Sequence, residues 1–158
     1  MHEYAIVLHA TCAIAAFIVG MILIFQSDMR RQLQLARALV ALLMLMGVFL
    51  VIAILSHLTS LPTIKRLIFG GLVLLLIYMI WRAVQAVTVL TRQPQDAQLK
   101  VVDHVGFVLI SLFDGFAIVS ALDLQAPRWL VAVIAVGAVG IGIFGLTARK
   151  RTLKTQVA

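Results

Sequence analysis

One apolar stretch follows another along this chain, each about 20 residues long, the length that carries an α-helix across a hydrocarbon core roughly 30 Å thick. The runs extend from Tyr4 to Phe25, Ala38 to Leu58, Leu67 to Val89, His104 to Leu124 and Trp129 to Ala148. Backbone N–H and C=O groups find no water in hydrocarbon, so a lone segment there must close its hydrogen bonds within itself, as a helix does. The sequence therefore predicts an all-α integral membrane protein of five transmembrane helices, one domain over residues 1–148, with a basic tail at 149–158. Composition agrees: 63% of the 158 residues are hydrophobic and 12% charged, whereas a soluble domain carries roughly 45–50% and about 25%.

The breaks between runs are polar. Gln26-Ser27-Asp28-Met29-Arg30-Arg31 follows the first, and Ser60-Leu61-Pro62-Thr63, with Lys65 and Arg66 behind it, marks a turn after the second. The longest connection, Thr91 to Asp103, holds Arg92, Pro94, Asp96 and Lys100 and reads as solvated. Gln125-Ala126-Pro127-Arg128 closes the fourth run, and Arg149-Lys150-Arg151 stops the fifth.

Basic residues set the orientation. Ten of the 13 lysines and arginines fall on one side of a five-span chain: Arg30, Arg31, Arg37, Arg82, Arg92, Lys100, Arg149, Lys150, Arg151 and Lys154. Lys65, Arg66 and Arg128 fall on the other. Cytoplasmic loops carry the basic excess, so the N-terminus is expected outside and the C-terminus in the cytoplasm, in the cell's inner membrane. A net charge of +7 distributed this way is topology, not a nucleic-acid face. The opening Met1-His2-Glu3-Tyr4 lacks the basic region of a signal peptide, so the first run reads as a retained helix. Cys12, inside that run, reads as a small packing residue.

Polar residues inside spans are where function is sought, because a charge at the bilayer centre costs about 2.5–3.5 kcal/mol even on the lenient insertion scale. His9 and His57 lie at similar depth, roughly 9 and 6 Å from the outer ends of their helices at 1.5 Å per residue. Facing each other they would ligate a haem b iron, or hold a metal together with Asp123 or Glu3, His2 lying close by. The plain alternative is that such a histidine hydrogen-bonds a backbone carbonyl.

Toward the cytoplasm, Arg82 on the third helix faces Asp103, His104 and Asp114 on the fourth. Eleven residues separate the two aspartates, about three turns, so both carboxylates share a face, flanked by Ser111 and Gly115. An ion pair of Arg82 with Asp114 or Asp103 would pin the two helices, and a proton or ion relay through Asp114 is the functional alternative. On the fifth helix Ala135, Ala138, Gly142 and Gly145 form a narrow small-residue stripe suited to close helix contact, within the chain or with a second copy or another protein. Met21, Met29, Met44, Met46 and Met79 are scattered and read as filling, and Tyr4 and Trp129 as outer-interface anchors.

With no P-loop, zincin, nucleophile-elbow or dinucleotide fingerprint, the leading expectation is a non-catalytic accessory or interaction subunit of a membrane assembly, in contact with lipid and other membrane chains. A haem b or metal redox protein using His9 and His57, and a small proton or ion translocator using Asp114, are the alternatives.

Overall fold

The computed structural model describes residues 2–55, 63–123 and 127–157, which form five helices. They are α1 (His2–Phe25), α2 (Met29–Leu55), α3 (Thr63–Arg92), α4 (Ala97–Asp123) and α5 (Arg128–Val157). Four carry segments long and apolar enough to cross a membrane: Tyr4–Phe25, Met29–Leu55, Gly70–Arg92 and Ala97–Ile118.

The helices outrun the apolar stretches. Of the expected solvated connection 91–103, only residues 93–96 are non-helical, because hydropathy marks the hydrocarbon boundary while a helix ends where its backbone is capped. Asp28 is such a cap: its Oδ1 accepts the Arg30 amide at 2.9 Å, and α2 begins nine residues ahead of the apolar run. α3 ends where Gln93 turns into the left-handed region (φ 49°), its amide still bonded to the Val89 carbonyl at 2.9 Å, with Pro94 behind it. α4 starts beside the Asp96–Lys100 ion pair at 2.9 Å. Nor is the basic segment after Ala148 a loose tail, since α5 continues through it to Val157. The predicted turn around Pro62 lies outside the described residues.

α1 packs on α2, α2 on α3, α3 on α4 and α4 back on α1, closing a four-helix ring, while α5 packs on α4 from outside. Inside the ring lie Ala16, Leu23, Leu39, Leu43, Met79, Ala83, Val105 and Val108. Cys12 and Met46 belong to the same core, whereas Met21 and Met44 are exposed. The outer faces are as apolar as the inside, with Ile14, Ile18, Val48, Ile52, Ile77, Val136 and Phe144 all exposed. A surface of this kind suits lipid and not water, so the chain is a membrane protein.

Glycines set the closest approaches. A Cβ on Gly20 of α1 would stand 2.8 Å from Leu109 Cδ2 of α4. Between α4 and α5 the arrangement is reciprocal: Leu146 of α5 fills the space over Gly106, and Ile110 of α4 the space over Gly142. The fifth-helix stripe is therefore used, in part, inside the chain. Ala138 is buried and Gly142 lies under Ile110, while Gly145 faces open space and the side chain of Ala135 is outside the described set.

Candidate functional site

Polar side chains gather where the C-terminal part of α5 meets the start of α4 and the end of α1. Asp103 is the node. Its main-chain carbonyl accepts a hydrogen bond from Arg82 Nη2 of α3 at 2.8 Å, and its carboxylate takes the ammonium of Lys150 of α5. Arg82 also lies over the Phe107 ring, 5.4 Å from its centroid, and Phe107 meets Tyr78 edge-on at 5.0 Å. The residue before Lys150, Arg149, turns the other way: its Nη2 approaches the Ile24 carbonyl at 3.4 Å and its guanidinium covers Phe25 at 5.3 Å. The basic end of α5 thus grips both α4 and the last turn of α1, whose carbonyls have no partner within their own helix.

The expected ion pair of Arg82 with Asp103 or Asp114 takes a different form. Arg82 does face α4, but it binds a carbonyl, and the Asp103 carboxylate goes to Lys150. The reason is position: the carbonyl of Asp103 points toward α3 while its side chain opens toward α5. Sequence reasoning assigned Lys150 to the tail and missed it. The available signal was its spacing of four from Leu146 and eight from Gly142, which puts all three on the face of α5 that meets α4.

Among the described residues Asp114 is left alone. Its Oδ1 is buried and has no hydrogen-bond partner, and His104 Nδ1 is likewise buried and unbonded. The helix register explains the isolation. Arg82 and Tyr78 of α3 meet Asp103 and Phe107 of α4, so two turns further along Gly71 comes level with Asp114. On the other side Lys150, Leu146 and Gly142 meet Asp103, Gly106 and Ile110, so the next turn brings Ala138 to the same level. Neither neighbour has a polar side chain to offer. α3 and α5 both pack on α4 and, among the described residues, not on each other. The face of α4 bearing Asp103, Phe107, Ile110 and Asp114 is therefore the floor of a lateral groove with α3 and α5 as walls, and Gly71 of the α3 wall borders open space.

At the other end of the bundle, His9 Nδ1 donates to the Met46 carbonyl of α2 at 3.0 Å. Since a carbonyl only accepts, this bond places a proton on Nδ1. His57 lies outside the described residues, as do the side chains of His2, Glu3 and Asp123. Met46 stands eleven residues before His57 in the chain. Among the described residues no group of three His, Cys, Asp or Glu side chains is placed to hold a metal ion.

No protein-family model, curated protein or solved structure matches this chain. A functional reading rests on its own residues.

Proposed function

We propose that the chain is a non-catalytic subunit of a membrane assembly, a rigid helical body that other membrane chains pack against. The observation that carries this reading is how its basic and imidazole side chains are used: His9, Arg82, Arg149 and Lys150 each bridge from their own helix to a backbone carbonyl or carboxylate of a neighbouring helix. Groups bound in this way hold helices together. A relay through Asp114 finds little support, since Phe107 and Ile110 separate it from Asp103 by about 16 Å of helix.

In this reading all five helices cross the bilayer, N-terminus outside and C-terminus in the cytoplasm. The ten-to-three division of lysine and arginine supports that topology. So does the contact of Lys150 and Arg149 with the start of α4 and the end of α1, which groups those three helix ends on one side.

Extraction from native membranes in a mild detergent, with the visible spectrum and the chain stoichiometry read together, tests the proposal. A stoichiometric second membrane chain and no Soret band is the expected result. A purified lone chain carrying a haem spectrum that disappears in His9→Ala would overturn it in favour of a redox protein.

A further inference from the structure

We propose that the groove between α3 and α5 seats a transmembrane helix of another membrane chain, one whose basic side chain meets Asp114 within the bilayer. This rests on the interaction-subunit reading and names the surface and chemistry involved.

An aspartate in mid-span is tolerated when it finds a partner. Among the described residues this one finds none, because the register sets Gly71 of α3 and Ala138 of α5 beside it, with Oδ1 buried and unbonded. The walls are narrow at the same level, with Ala138 on α5 and, on α3, Gly71, which borders open space, the geometry that lets a further helix backbone come close. The wall of α3 is also uncovered, with Leu74, one turn from Tyr78, 69% exposed.

Lipid is a poor occupant. Asp114 lies roughly 13 Å of helix from Asp123 at one end of α4 and roughly 25 Å from Ala97 at the other, beyond the reach of a headgroup, and acyl chains carry no donor. A second copy of this chain also fits badly. Among the described residues its deepest exposed basic side chain outside the groove is Arg37, roughly 12 Å from the start of α2, about half the depth of Asp114 from that side. Charge complementarity therefore points to a different chain with Lys or Arg well inside its span.

A photo-crosslinking residue placed at Leu74 in the full chain, in native membranes, tests the assignment, with Val48 on the far side of the ring (53% exposed) as the control position. The expected product joins Leu74, and not Val48, to a peptide of another chain that has Lys or Arg within an apolar stretch. Its yield should fall about tenfold in Asp114→Leu and persist in Asp114→Glu. Retained disulfide formation between Ile110→Cys and Gly142→Cys shows that the variants still fold. Crosslinks only to lipid, only to a second copy, equally from Val48, or indifferent to Asp114→Leu overturn the proposal. If a second chain co-purifies but Leu74 does not touch it, the groove assignment fails while the subunit reading stands; if nothing co-purifies, both fail.

Discussion

Replacing Gly106 by alanine puts a methyl group where Leu146 of α5 already lies, with Leu146 Cγ 3.0 Å away and both its terminal carbons nearer still. Rotation about the last torsion of Leu146 swings both terminal carbons together and leaves Cγ where it is, so α5 must shift or Leu146 must change its first torsion as well. Overpacking of this kind costs about 1–3 kcal/mol, and the better helix propensity of alanine returns about 0.5–1 kcal/mol, for a net loss of up to about 2.5 kcal/mol. The loss should fall on the α4–α5 contact, because the ring of α1 to α4 closes without α5. Combining Gly106→Ala with Leu146→Ala removes the obstruction, and the propensity gain cancels in the cycle, so the double variant should be more stable than the sum of the singles by the overpacking cost, about 1–3 kcal/mol. Detergent-induced unfolding in mixed micelles, followed by far-ultraviolet circular dichroism, measures the cycle. Additive losses would show that Leu146 does not fill the Gly106 notch.

Gln93→Gly should raise stability by about 0.5–1 kcal/mol in the same assay, since φ 49° is strained for glutamine and free for glycine; a loss would mean the Gln93 side chain matters more than its backbone. Asp103→Asn should couple to Lys150→Met by about 0.2–1 kcal/mol and hardly at all to Arg82→Met, because Arg82 uses the carbonyl that asparagine keeps; equal coupling to both would restore an Arg82 ion pair. The hydrogen bond from Lys100 holds the Asp96 carboxyl below its ordinary value of 3.8, so this contact contributes above that pH and is lost as pH falls through the lower folded value. Carboxyl NMR should therefore show Asp96 titrating upward in Lys100→Met, and an unmoved titration would remove the pair.

The helices and their order were legible because each needs a long apolar run, and such runs are hard to hide in a sequence. Their ends were less so: α2 begins at an Asp28 cap in polar sequence, and α3 and α4 extend past the hydrocarbon boundary into what reads as loop. The face shared by Asp103 and Asp114 followed from helical periodicity alone. Which group each would meet did not, because it depends on interhelical register, set by Gly20, Gly106 and Gly142 and the side chains they admit. The same limit applies to His9: its bond to the Met46 carbonyl requires knowing where α2 lies against α1.

Everything proposed for the groove depends on α5 crossing the membrane with its basic end in the cytoplasm. Single cysteines at Gln95, Ala126 and Thr155, in a Cys12→Ala background, probed in intact cells with a membrane-impermeant maleimide, test that claim most directly. The account predicts that Ala126→Cys is labelled from outside, while Gln95→Cys and Thr155→Cys react only after the membrane is opened. Labelling of Thr155→Cys in intact cells would contradict it.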